Sequence, residues 1–330
     1  MTVDYDVKIA AGNLSDAMKR PDVYEPIFQA IVEQSAALSL AKRLPNMAAG
    51  TSRISVLDQF PLAYWQSTST SLKRTSNIQW KGKLLTAEEI ACIVPIGINL
   101  LEDATHVDIW GEIRPRIAES MGALIDAALF QGTDLPSTWL TNTAGVSQSI
   151  ITAATAASMV VEEGTGVDLY DDVLGDGGIV SLVEKQGFMV NGFAAPIVTR
   201  GKLRHVRENR TASGAGLPIL VRNGSTYALD GEPILFNRNG GLDSAEILLV
   251  AGDWNQLIYS IRREMDAKIF TEAVISDEEG AVVMNLMQQD MIAVRFTLRL
   301  AFQIANPVTR LSTTEATRYP FAVLTPASGS

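Results

Sequence analysis

Cysteine occurs once in the 330 residues, at Cys92, and histidine twice, at His106 and His205. One thiol excludes an intrachain disulfide or a zinc knuckle, and two imidazoles about a hundred residues apart exclude a histidine-rich metal site. Basic residues are the scarcer sign: 27 lysines and arginines stand against 37 acids, a formal charge of -10. That balance excludes a basic footprint for sequence-specific nucleic-acid binding. Long apolar runs are also missing. The longest weakly polar stretch, Ile150 to Val161, is interrupted by Thr and Ser and is too short to span a bilayer. The opening Met1-Thr2-Val3-Asp4-Tyr5-Asp6 is acidic where a secretory signal is basic, so a soluble, unexported protein with no membrane partner is expected. With 47% hydrophobic and 19% charged residues the chain is not dominated by disorder, and its length suits one large or two ordinary domains.

No catalytic, metal or cofactor-binding constellation emerges. Cys92 lies in the apolar run Ile90-Ala91-Cys92-Ile93-Val94, where a thiol acts as a small hydrophobe rather than a nucleophile. His106 reads as an exposed loop residue, and His205 lies among Arg204, Arg207 and Arg210, cations that work against a catalytic dyad. Asp168, Asp171, Asp172 and Asp176 lack the glycine and terminal glutamate of a calcium loop, so helix capping is expected. Gly175-Asp176-Gly177-Gly178 reads as a turn, since no Lys-Ser/Thr pair follows it. Gly214-Ala215-Gly216 runs into Pro218 and offers no helix N-terminus to an anion.

What is present is unusual element length. From Asp108 to Phe130, apolar residues at helical spacing (Ile109, Ile113, Ile117, Met121, Leu124, Ile125, Ala128) predict one helix, capped by Asp108 and stopped by Gly132. It would run on the order of 35 Å, with Pro115 bending or restarting its first turns. Ile292 to Ile304 alternates strictly and predicts a strand about twice the usual length. Ile261 to Ile269 places Ile261, Met265, Ala267 and Ile269 on one face and Arg262, Glu264, Asp266 and Lys268 on the other. Such pieces pack lengthwise into a flat body with much side surface for neighbouring subunits. Ile54–Trp65 and Ile78–Val94 flank the polar run Gln66 to Ser71 and read as a long hairpin reaching from the core, which needs a partner surface.

Charge separates along this region. Residues 66–85 carry Lys73, Arg74, Lys81 and Lys83 and no acid, with Trp65 and Trp80 beside them. Residues 101–134 carry Glu102, Asp103, Asp108, Glu112, Glu119, Asp126 and Asp134 against Arg114 and Arg116. Two readings stand: solvated faces of opposite sign, or an intersubunit electrostatic fit. On the second, Trp65, Lys73, Arg74, Trp80, Lys81, Lys83, Glu102, Asp103, Glu112, Glu119 and Asp126 are contact candidates.

Val94-Pro95-Ile96-Gly97-Ile98-Asn99-Leu100-Leu101-Glu102-Asp103 precedes the long helix, and Leu129-Phe130-Gln131-Gly132-Thr133 closes it. Further on come Leu248-Leu249-Val250-Ala251-Gly252-Asp253-Trp254 and the final long strand, Arg295 to Thr309, with its Asn306-Pro307 step. In order and spacing these segments resemble the major capsid (major head) protein family of tailed bacteriophages, whose fold is shared with encapsulins. The resemblance implies an α+β fold with an N-terminal arm (1–50, including a helical stretch Tyr24 to Lys42) and an extended β-hairpin loop (51–92). It also implies a peripheral domain with a long spine helix and long strands (93–158 and 254–306) and an axial domain (159–253 and 307–330).

The implied function is a non-enzymatic subunit that self-assembles, as hexameric and pentameric capsomers, into an icosahedral or prolate head around double-stranded DNA. The alternative is an encapsulin-type shell around a protein cargo. Scaffolding and portal proteins are the implied partners, the virion the destination, and the host cytoplasm the place of assembly. Only some two dozen residues precede the first helix, so scaffolding is expected from a separate protein or from the arm. The turn-rich Asn209 to Pro218 is expected to gather near a symmetry axis. Some family members weld subunits by a Lys–Asn isopeptide bond beside a buried Glu; Lys73, Lys81 and Lys83 lie in the right region, but no Asn and Glu match residue by residue.

Overall fold

A computed structural model describes residues 30–66, 72–99, 109–142, 144–207, 216, 218–223, 226–277 and 280–327. The helical stretch expected to run to Lys42 is divided. Residues 30–34 are helical, Ser35 is extended, and α1 (Ala36–Leu40) restarts behind it. The break follows from chemistry: the Ser35 hydroxyl accepts from the Leu38 N–H, as an N-cap does, and a serine held this way leaves the helical conformation. Lys42–Arg43 is already strand, β1.

β2 (Thr51–Gln59) and β3 (Gln79–Thr86) form the hairpin, and β4 (Glu88–Gly97) follows after Ala87. The run read as one extended segment from Ile78 to Val94 therefore changes partner midway. Ala87 donates its N–H to Gly50 O and is buried with Leu85, Met47 and Ala301, so the chain is pinned at the hairpin root. Glu88 to Cys92, placed in the extended loop from sequence, pair instead with a long strand of the body.

The long helix is α2 (Ile109–Phe130), continuous through Pro115. Ile117, Met121, Ile125, Ala128 and Leu129 are buried, while Leu124 is part of the exposed face. Asp108, its expected cap, lies outside the described residues. Gly132 ends the helix in the left-handed region (φ +90), its N–H donating to Ala127 O and Ala128 O.

The remaining elements are α3 (Ile150–Ala156), β5 (Val160–Glu162), α4 (Leu169–Leu174), α5 (Ile179–Lys185), β6 (Gly192–Pro196) and α6 (Thr199–His205). After them come β7 (Leu220–Asn223), β8 (Thr226–Leu229), β9 (Glu232–Asn237), β10 (Leu249–Gly252) and β11 (Leu257–Phe270). The chain closes with β12 (Val274–Ser276), β13 (Val282–Asn285), β14 (Met291–Ile304) and β15 (Phe321–Thr325).

Two large sheets result. The first has the order β1-β11-β14-β4, with β14 central. Its pairing with β4 is unbroken from Met291↔Gly97 to Leu300↔Glu88, whereas the pairing with β11 shifts register on both sides of Arg263. Those bulges bend β11 and disturb the simple alternation read from its sequence. β14 is covered on both faces: Thr297 and Gln303, on its polar side, are buried, and Gln303 donates to Leu84 O and Thr141 Oγ1.

The second sheet is mixed, in the order β5-β15-β10-β6-β9-β8-β7. Its inner strands, Leu249-Val250-Ala251-Gly252 and Phe321-Ala322-Val323-Leu324, are continuously apolar and buried, as strands covered on both faces must be. Trp254 joins the two sheets. Its Nε1 donates to Gly192 O at 2.9 Å, and its ring meets Phe130 and Phe321 edge-on at centroid distances of 6.0 and 5.1 Å.

Candidate intersubunit surface

The hairpin is rooted by the segment that follows β14. Val308 donates its N–H to Leu57 O at 3.0 Å. Arg310 donates to Pro61 O at 3.2 Å and lays its guanidinium 4.4 Å from the Phe60 ring centroid. Glu315 receives both hairpin lysines: Lys81 Nζ lies 2.7 Å from one oxygen and Lys83 Nζ 3.9 Å from the other. Lys83 also donates to Ile304 O at 3.1 Å; burial pushes its ammonium below the ordinary lysine range and Glu315 partly restores it. On the intersubunit reading Lys81 and Lys83 would meet a neighbour's acids; within the subunit both are paired with Glu315. Alternation along β3 puts both on the face turned toward residues 304–318.

Beyond its root the hairpin leaves the body: residues 61–66 and 72–80 are all exposed. Trp65 is fully exposed, Leu72 at 93%, Leu62 at 69% and Trp80 at 66%. Arg74 donates its N–H to the Tyr64 hydroxyl and holds its guanidinium 5.8 Å from that ring, with Lys73 adjacent. So much aromatic and aliphatic surface on a two-stranded ribbon marks an interaction site.

The acidic candidates divide. Glu119 pairs with Arg116 at 3.1 Å on the exposed side of α2. Glu102 and Asp103, and the side chain of Glu112, lie outside the described residues. Asp126 is not a surface acid, contrary to the sequence reading. It is wholly buried: Oδ1 accepts from Ser35 Oγ at 2.7 Å and Ala37 N at 3.0 Å, and Oδ2 from Ala36 N, Asn237 Nδ2 and Asn239 Nδ2 at 3.0, 2.7 and 3.0 Å. Helical periodicity puts position 126 next to Ile125 on the inward side, and the first-turn N–H groups of α1, which have no partner within their helix, supply a use for its charge.

The weaker sequence sites resolve locally. Asp168 accepts from Tyr170 N and Asp171 N as the cap of α4, Asp172 accepts from Gly164 N and Gly166 N, and Asp176 pairs with Lys185. Burial pushes the Cys92 thiol up, away from reactivity. His205 ends α6, and His106 and most of Asn209 to Pro218 lie outside the described residues. Among the described residues no three His, Cys, Asp or Glu side chains gather into a metal site.

A family model described as the phage capsid family matches residues 18–309. The chain belongs to the phage capsid family. It is 28% identical over 286 residues to the major capsid protein of Staphylococcus phage 80alpha, covering 85% of this chain and 80% of that one. A solved chain from Microbacterium phage Oxtober96 superposes with a TM-score of 0.73 at 34% identity, covering 89% and 91% of the two chains. One from Mycobacterium phage Adephagia gives 0.73 at 25%, covering 90% and 91%. The expected α+β capsid fold and shell-subunit function are thereby established: this is a phage major capsid protein, a structural subunit of the head. The encapsulin alternative is not favoured, since these relatives are phage proteins.

In this capsid subunit sequence reading missed a second ribbon. β12 and β13 expose Val274, Val282 and Val283, with Met287 just beyond. The signal was available: two β-branched runs flank Asp277-Glu278-Glu279-Gly280, and Gly280 takes the positive φ of a tight turn (+84).

Proposed function

We propose that each subunit lays its β2–β3 hairpin on the body of a neighbouring copy, and that this contact builds hexameric and pentameric capsomers of an icosahedral or prolate head. The observation that carries the reading is the exposure of Trp65, Leu72 and Trp80 on a ribbon whose root is fixed against residues 304–318 of its own subunit. Burying a large apolar side chain contributes roughly 1.5–3 kcal/mol, and a shell repeats that gain at every copy. Lys73 and Arg74 stand beside the aromatics and supply the polar rim of the contact.

On this reading the two sheets divide the labour. The four-stranded sheet with α2 is the peripheral domain that receives the hairpin, and the seven-stranded sheet, completed by β15, is the axial domain meeting its copies at the five- and sixfold axes. Scaffolding and portal proteins direct assembly in the host cytoplasm, and the closed head holds double-stranded DNA without sequence-specific contacts. Negative-stain microscopy of the purified protein tests the proposal, with nuclease treatment of particles from infected cells identifying the content. Closed shells with nuclease-sensitive content support it. Subunits that stay dispersed under all assembly conditions, or particles filled with protein cargo, overturn it.

A further inference from the structure

In a chain with an excess of ten acids, α6 and the turn after it concentrate cations: Arg200, Lys202, Arg204, His205 and Arg207 lie within eight residues without an acid. Lys202 is matched by Glu163 at 2.8 Å. Arg200 instead donates to the Tyr227 hydroxyl, with its guanidinium 4.4 Å from that ring and 5.8 Å from the ring of Phe236. Arg204 lies beside the same hydroxyl, and Arg204 and Arg200 together hold the Tyr227 phenol below the usual tyrosine range. Arg222, on β7, is the direct cross-strand partner of Tyr227. Among the described residues neither Arg200 nor Arg204 forms an ion pair.

Two guanidinium groups thus stand beside one neutral oxygen, with Arg204 open to solvent. A hydroxyl has two acceptor lone pairs and one proton. With Arg200 as donor to its oxygen, Tyr227 keeps its O–H to donate, beside two planar cations suited to bidentate recognition of an oxyanion.

We propose that Arg200, Arg204 and Tyr227 form an oxyanion site filled by a carboxylate of a neighbouring copy in the shell. The inference rests on the shell-subunit reading and names a contact that the hairpin does not make. A carboxylate is favoured because every copy, with 37 acids against 27 basic residues, brings surplus acids to its neighbours.

Arginine-selective labelling with phenylglyoxal, read by peptide mass spectrometry, tests this on the unaltered protein as free subunits, empty shells and DNA-filled shells. Modification of Arg204 should fall by about tenfold in empty shells relative to free subunits, as closure of a water-excluding contact requires. Protection confined to DNA-filled shells would assign the site to phosphate and overturn the proposal, as would equal labelling in all three states. Failure of the parent protein to form any shell would overturn the assembly reading itself, a separate and visible outcome. As a second arm, Arg204→Lys should assemble, and carbodiimide should then couple position 204 to an Asp or Glu of another copy only in shells. Coupling in free subunits, or none in shells, counts against the contact.

Discussion

The Ser35 hydroxyl donates to Asp126 Oδ1 over 2.7 Å, joining residues 91 positions apart. The same carboxylate takes the first N–H groups of α1 and the amides of Asn237, the last residue of β9, and Asn239 just beyond it. One buried anion thus ties α1, α2 and the seven-stranded sheet together, using neutral donors throughout. Close approach is built in: a Cβ at Gly241 would stand 2.4 Å from Ala123 O. Asp126→Ala should therefore cost about 3–5 kcal/mol, because it leaves several buried donors without an acceptor. Denaturant unfolding reads the loss, and hydrogen exchange should localise early opening to residues 35–38.

Burial pushes the Asp126 carboxyl above its ordinary range, against the pull of its hydrogen bonds. The sign follows from linkage. A carboxyl with a raised folded-state pKa binds its proton more tightly when folded, so its contribution is full below the unfolded value of about 3.9 and is lost as pH rises through the folded value. The stability of the parent relative to Asp126→Asn should accordingly decline as pH rises from about 4, then level off. A flat difference across that range would show that Asp126 does not titrate differently in the two states.

Gly252 shows a constraint of another kind. A Cβ there would lie 2.2 Å from the Phe321 ring and 2.7 Å from Pro320 O, where β10 passes β15 on the way to Trp254. Gly252→Ala should destabilise by about 1–3 kcal/mol through overpacking, seen as a lower thermal midpoint. Gly231→Ala, where the Cβ would meet nothing but φ is +85, should cost only about 1 kcal/mol from backbone strain.

How much of this was legible in sequence depends on the range of the interactions. α2 and β14 could be read because each carries its own period over many residues, and the end of α2 because Gly132 can take the left-handed conformation that stops a helix. Ser35 and Asp126 could not be paired, since their contact depends on how two helices cross and not on either helix alone. The pairing of Lys81 and Lys83 was hidden for the same reason: their partner, Glu315, stands 232 residues beyond Lys83, in a segment with no periodic signal. Charge counts along a segment give its sign but not the direction in which each side chain points.

The Lys81–Glu315 contact should be separable from assembly. Both side chains keep some exposure, so a double-mutant cycle with Lys81→Ala and Glu315→Ala should give a coupling of about 0–1 kcal/mol in free subunits. Lys83 is more enclosed, and Lys83→Ala should cost more than Lys81→Ala while loosening the hairpin root. Faster exchange of the β3 amides in the dispersed protein would report that loosening.

Lys73 and Arg74 remain as the hairpin's outward cations, and they allow apolar and ionic contributions to assembly to be separated. Replacing both by Glu would put like charge against an acidic neighbour, but exposed pairs are worth only about 0–1 kcal/mol and are screened within about 10 Å at 0.1 M salt. Trp65→Ala with Trp80→Ala removes apolar area instead, at roughly 25 cal/mol per Å² that would be buried, and that loss is insensitive to salt. The charge variant should therefore assemble poorly at low salt and recover as salt is raised. The tryptophan variant should yield folded subunits that fail to close into shells at any salt. In the parent, quenching of Trp65 and Trp80 by a soluble quencher should be strong in subunits and weak in shells. Equal quenching in both states would mean that the hairpin stays in solvent after assembly, and the head would then have to be held by surfaces other than this one.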